Sequence, residues 1–283
     1  MNAHGVFAAC SFLLYASAAL ASIAYLFTKS ERSSRTMFFF LKIGVALHAA
    51  AFALRLSQFW TYPENRFFLP LTTFYGALSY MGLALAATFL AVEQGRRLDI
   101  LGAFVLPWAA ASLGAAVLLA PPDVAPLAES LRYYWLNLHP FLLMTAYAAL
   151  ANATGVAAAF LVQERQIKSR KPGALCYRLP SLDELDYLHA RIIAWAYPVL
   201  LAGLAMGMVW AYRDGWRWGG DPKLTMAVVT AAIYGVFLWR HFIGGRRGRR
   251  PVYLSLLGFA SVLATFLGAE FYSGRHSYLG GLR

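Results

Sequence analysis

Apolar residues in this chain fall in long, nearly unbroken runs rather than in the single stripe of a surface helix. Eight stretches, at 5–28, 36–55, 67–92, 100–120, 132–162, 191–212, 223–242 and 252–272, each supply the roughly 20 mostly apolar residues that cross a bilayer. The pattern predicts an all-α integral membrane protein with eight transmembrane helices in one polytopic domain over 1–283. The fifth run is too long for one crossing, so its start, Leu131 to Leu138, is expected to lie along a membrane surface before the helix enters the bilayer. The longest polar connection, 163–191, contains the turn signal Lys171-Pro172-Gly173. Ser181 followed by Glu184 then makes a capping box that opens the helix leading into the sixth run.

Composition supports the membrane class, because 60% of residues are hydrophobic and 13% charged, and charges are costly in hydrocarbon. The net charge of +12 does not point to nucleic acid, since the basic residues sit in short clusters between apolar runs. Lysines and arginines divide 16 to 8 between the two alternating sets of connections, leaving Lys42 inside a span. The positive-inside rule puts the richer set, including Arg246-Arg247-Gly248-Arg249-Arg250, in the cytoplasm and both termini on the non-cytoplasmic side of a bacterial inner membrane. No basic n-region precedes the first run, which reads as a retained span. Cys10 and Cys176 form no C-x-x-C, zinc pattern or disulfide framework, and the absence of C-x-x-C-H excludes a c-type cytochrome.

Candidate chemistry concentrates on the expected outer side. The loop 213–223 contains Trp216-Arg217-Trp218-Gly219-Gly220-Asp221-Pro222-Lys223, and the same layer holds His139 and His276. Aromatic faces, an acid and two imidazoles suit a large flat cofactor, with haem b the leading candidate. His139 and His276 are the candidate axial ligands to iron, since two neutral imidazoles give a stable six-coordinate haem. Trp216 and Trp218 read either as porphyrin-stacking side chains or as interface anchors. Asp221 with Pro222 suits the cap of the seventh span, whatever else it does. His48 and Arg55 lie seven residues apart, on one helix face. They read either as an iron ligand with a propionate-binding arginine, or as a helix-packing histidine with a snorkelling arginine. His4, His189 and His241 are expected to be solvated or at headgroup level. Gly203 and Gly207 have the small-xxx-small spacing of helix packing. No nucleophile–base pair, metal-ligand cluster or phosphate-cradling loop supports conventional enzyme catalysis.

Several segments together resemble the haem-handling cytochrome c assembly proteins called CcsA, ResC or HemX-like. They are Trp135-Leu136-Asn137-Leu138-His139-Pro140 with Ala146-Tyr147 and Leu161 to Arg165, Leu182 to Asp186 through Gly203 and Gly207 to Trp210-Ala211, and Phe266-Leu267-Gly268 with Gly274-Arg275-His276-Ser277-Tyr278. The likeness is strongest over 131–283, which it implies is the haem-handling core. It implies that His139 and His276 ligate haem under a loop containing Trp216, Trp218 and Asp221, for attachment to apocytochrome c with a ResB/CcsB-like membrane partner. Two departures matter. Gly220 and Leu224 replace a tryptophan and an acid of the fuller family loop motif. The in-membrane histidine of haem-conducting members falls, ungapped, on Trp239, with His241 two residues later on another face. A HemX-like regulator of glutamyl-tRNA reductase, docking through 163–191, is therefore the alternative. A b-type electron-transfer cytochrome is a minor one.

Overall fold

The computed structural model describes residues 3–93, 99–127, 129, 132, 134–169, 173–213 and 222–268. Among them are eight α-helices and no strand: α1 (Ala3–Thr28), α2 (Glu31–Phe59), α3 (Phe74–Glu93), α4 (Gly102–Leu119), α5 (Tyr134–Lys168), α6 (Leu182–Arg213), α7 (Pro222–Leu238) and α8 (Arg249–Gly268). Helices α1 to α7 are long and apolar enough to cross a membrane, α4 with a short 3-10 lead and α7 with a π-helical turn, Trp239–Ile243. The 20-residue α8, which begins with two arginines, lies outside that set. The chain is thus a multi-pass helical membrane protein with seven clear candidate spans among its described residues.

Each helix coincides with an apolar run because backbone polar groups in lipid must be paired within the helix itself. Two boundaries differ from expectation. The third helix starts at Phe74 rather than near 67, since residues 67–73 form a loop that contains Pro70 and bends at Phe67, whose φ is 70°. The fifth run is one continuous helix from Tyr134 to Lys168 rather than a surface segment followed by a span. At about 1.5 Å per residue its 35 residues exceed any hydrocarbon core, so α5 projects beyond it. Ser181 Oγ accepts the Glu184 backbone N–H at 3.2 Å, so the expected cap forms and α6 runs unbroken into the bundle. Replacing Ser181 by alanine is expected to lower stability by about 1 kcal/mol, measurable by reversible detergent denaturation; an unchanged midpoint would make the cap dispensable.

Helices α1 to α4 pack mainly as α1–α2, α1–α4 and α3–α4; α5 to α8 pack mainly as α5–α6 and α7–α8. Contacts of α5 with α3 join the two groups. Large apolar side chains such as Leu13, Leu20, Leu118 and Trp195 face outward, whereas His48, Asn152 and Thr230 are buried, the inside-out distribution expected in lipid. One end of the bundle carries His139 and Arg55, the other the arginine cluster. At the arginine end, the connection after α5 folds back: Gln163 donates to the Cys176 carbonyl at 3.0 Å and Arg178 donates to the carbonyls of Leu26 and Phe27.

Candidate functional site

His139 stands on the first turns of α5, against the final third of α6. Its Nδ1 lies 2.7 Å from the Gly203 carbonyl oxygen, so Nδ1 carries a proton and donates it there. Metal-bound histidines are commonly held by a backbone carbonyl in this way. The ring fits because residue 207 has no side chain: a Cβ there would lie 2.4 Å from His139 Cε1. One turn along, a Cβ on Gly203 would come within 2.8 Å of Leu143 Cδ2. The small-xxx-small pair therefore does pack helices, as the spacing predicts, and it also seats the candidate ligand, which the spacing does not reveal.

Two residues before His139, the Asn137 amide is bound at both ends. Its Oδ1 accepts the Leu69 N–H at 2.6 Å, and its Nδ2 donates to the Phe67 carbonyl at 3.0 Å. This clamp ties the start of α5 to the loop preceding α3. The asparagine within the Trp135–Pro140 motif thus has a positioning role that the sequence offered without a mechanism.

Residues Trp216, Trp218, Asp221 and His276 lie outside the described residues. Helices α6 and α7 end and begin on either side of the tryptophan loop, at Arg213 and Pro222, at the same end of the bundle as His139.

His48 and Arg55 share a face of α2 but serve different neighbours. His48 is fully buried, with Nδ1 3.3 Å from Tyr15 Oη and Nε2 3.0 Å from Ser79 Oγ, so both ring nitrogens bridge helices. Arg55, two turns further, is buried at the His139 end, where it donates to the carbonyls of Pro122 at 2.6 Å and Asp123 at 3.3 Å.

The three histidines expected at the surface are all buried. His4 lies within 3.4 Å of Arg55 Nη1. His189 Nε2 is 2.8 Å from Ser255 Oγ, and its ring meets Phe237 edge-on. His241, in the π-helical turn, stacks on Phe237 and places Nδ1 3.9 Å from the buried Asp186 carboxylate. Its neighbour Arg240 made it look solvated, but helical spacing carried the contrary signal. Ala227, Ala231, Tyr234, Phe237 and His241 continue one buried stripe, while Trp239 points outward at 60% exposure. Among the described residues no group of three or more His, Cys, Asp or Glu could hold a metal ion.

Known proteins of cytochrome c biogenesis are similar to this chain over most of its length. The chain is 29% identical over 232 residues to the cytochrome c biogenesis protein CcsA of Guillardia theta, covering 75% of this chain and 77% of that one. It is 28% identical to the CcsA of Gloeothece citriformis, covering 83% and 86%. Its fold matches that of a cytochrome c heme lyase, CcmF, with a TM-score of 0.73 and 16% identity over 93% of this chain. The match takes in 46% of CcmF, so this chain spans under half of that protein, and the likeness is one of fold. The family described as Cytochrome C assembly protein matches residues 71–276, a span that begins before α3, includes the His139 seat and runs beyond α8. On that match the chain belongs to the cytochrome c assembly protein family.

Proposed function

We propose that this protein binds haem b at the His139 end of its helix bundle and holds it there for attachment to apocytochrome c. The observation that carries the reading is the seat of His139, an imidazole whose Nδ1 proton and position are set by the Gly203 carbonyl and the bare backbone at Gly207. In this reading His276 supplies the second axial nitrogen, Trp216 and Trp218 cover the porphyrin, and Asp221 caps the start of α7. Haem, when bound, supplies the vinyl groups to which cytochrome thiols are joined. The chain's own residues hold and orient it, the usual division between protein and cofactor. His48 bridges α1, α2 and α3, and His241 is the buried imidazole of the penultimate helix. We further propose eight spans with both termini opposite the arginine cluster, in a bacterial inner membrane, and a ResB/CcsB-like membrane partner.

The test is a visible absorption spectrum of the detergent-purified protein beside His139→Ala and His276→Ala variants. The expected result is a reduced low-spin b-type spectrum that becomes high-spin or disappears in both variants. A spectrum indifferent to both substitutions would overturn the site. The regulatory reading, with glutamyl-tRNA reductase as partner, would then be tested by reductase abundance in a deletion strain.

A further inference from the structure

Arg55 is 2% exposed, and its guanidinium is never neutral at physiological pH. Its hydrogen-bond acceptors are the carbonyls of Pro122 and Asp123, Thr73 Oγ1 at 3.2 Å and His4 Nε2 at 3.4 Å, and its charge lies 4.5 Å from the Tyr75 ring centroid. Among the described residues no carboxylate comes within ion-pair distance, and Nε, though buried, has no hydrogen-bond partner. Dipoles, a ring face and the Asp123 carboxylate, which acts from beyond ion-pair distance, soften this buried cation without pairing it.

The same guanidinium lines a cavity of about 130 Å3. Thr72 and Thr73 add hydroxyls, while Phe59, Val124 and Leu127 make the remaining wall apolar. That volume is well below the several hundred Å3 of a site that encloses a drug-sized ligand, so a head group fits and a porphyrin does not. The polar and apolar halves call for an anion on an apolar stem.

We infer that the Arg55 cavity binds the single anionic group of an amphiphile, a carboxylate or a phosphate, with its stem against Phe59 and Val124. The occupant completes the charge of Arg55 and offers an acceptor to Nε. It also braces the loop 67–73, which Asn137 ties to α5 two residues before His139. Two sources carry such a group: the propionate of haem and the phosphate of a phospholipid. The inference stands apart from the haem-ligand reading, because a haem-free protein tests it.

The experiment measures thermal stability of the haem-free full chain in phosphatidylcholine nanodiscs during titration with hexyl phosphate and hexanoate, with hexanol as the neutral control. Saturable stabilisation by both anions and none by hexanol is expected. Arg55→Lys, which keeps the charge and loses the fork, should weaken the effect about tenfold, the loss of one charge-assisted hydrogen bond. Ala125→Phe should abolish it by filling the mouth of the cavity, since position 125 is exposed and contributes a backbone carbonyl to Asn65, not a contact to Arg55. Equal stabilisation by hexanol, or an anion effect intact in Ala125→Phe, would overturn the site. Competition by haem but not by its dimethyl ester assigns the occupant to the cofactor, whereas competition by phosphatidylglycerol in the nanodisc assigns it to the lipid. Failure of both to compete with hexyl phosphate would overturn the amphiphile.

Discussion

Adding one methyl group at position 207 is expected to remove low-spin haem almost as completely as removing His139. In Gly207→Ala the new Cβ would lie 2.4 Å from His139 Cε1, 2.8 Å from Nδ1 and 3.2 Å from Nε2, so it meets the rigid ring and not the end of a flexible chain. The imidazole must move, and moving breaks its bond to the Gly203 carbonyl, which lies on the same helix one turn away. Loss of such a supporting bond typically costs roughly 10- to 100-fold in affinity. Unfolding is a poor rival explanation, because alanine favours a helix interior over glycine by about 1 kcal/mol. Gly203→Ala is the comparison: its Cβ meets Leu143 Cδ2 at 2.8 Å and Cγ at 3.0 Å, which a rotamer change relieves, and the Leu143 backbone N at 3.2 Å, which needs a shift of a few tenths of an ångström, while the carbonyl is retained. Haem titration of both variants, followed by their absorption spectra, reads the difference. Wild-type affinity and spectrum in Gly207→Ala would mean that the His139 seat is not where iron binds.

The contrast between Gly207 and the helices themselves marks how far the sequence could be read. Membrane crossing is a local property: run length and apolarity decide it, and each of the eight runs became a helix. Boundaries failed where a distant partner intervened. Residues 67–73 looked like helix until Asn137, some seventy positions away, was found holding Phe67 and Leu69. The meeting of Gly207 with His139 depends on the register between α5 and α6, which no spacing within either helix contains. His241 failed for a different reason. Arg240 beside it points to solvent, whereas the stripe from Ala227 to Phe237, equally present in the sequence, points to the interior, and the interior wins. His276 and the Trp216–Asp221 loop lie outside the described residues, so their roles rest on the sequence pattern and the family likeness.

Burial of His241 also changes what the departures from the family pattern imply. Trp239 occupies the ungapped position and faces outward, yet two residues later an imidazole is buried on the penultimate helix, in a π-helical turn closed by Gly244 N–H to the Trp239 carbonyl at 3.0 Å. Such turns recur at functional sites. An erosion of function inferred from Trp239 alone is therefore not required by the fold.

His241→Leu is expected to destabilise the protein by roughly 1–2 kcal/mol, and a second substitution should return part of that loss. The Asp186 carboxylate is 5% exposed; the Gly248 N–H reaches its Oδ1 at 3.4 Å and the His241 ring faces its Oδ2 at 3.9 Å. Removing the ring leaves a buried carboxylate with one weak donor; at 3.9 Å the imidazole makes no hydrogen bond to it, so the loss is that of a polar neighbour in a buried site, about 1–3 kcal/mol. The long separation argues for the lower half of that range. Asp186→Asn removes the charge but keeps an oxygen for Gly248, whose φ of 92° lets its N–H be presented in this turn, so a cost near 1 kcal/mol is expected. The double variant should then be more stable than His241→Leu alone, a coupling that a double-mutant cycle reads directly from denaturation midpoints in detergent. Strict additivity would mean that His241 is held by its stacking on Phe237 and is indifferent to the carboxylate. The double variant separates structure from chemistry as well. If it folds like the wild type yet cytochrome c assembly fails, the imidazole is needed for more than stability; if assembly survives, the His139 end suffices without it.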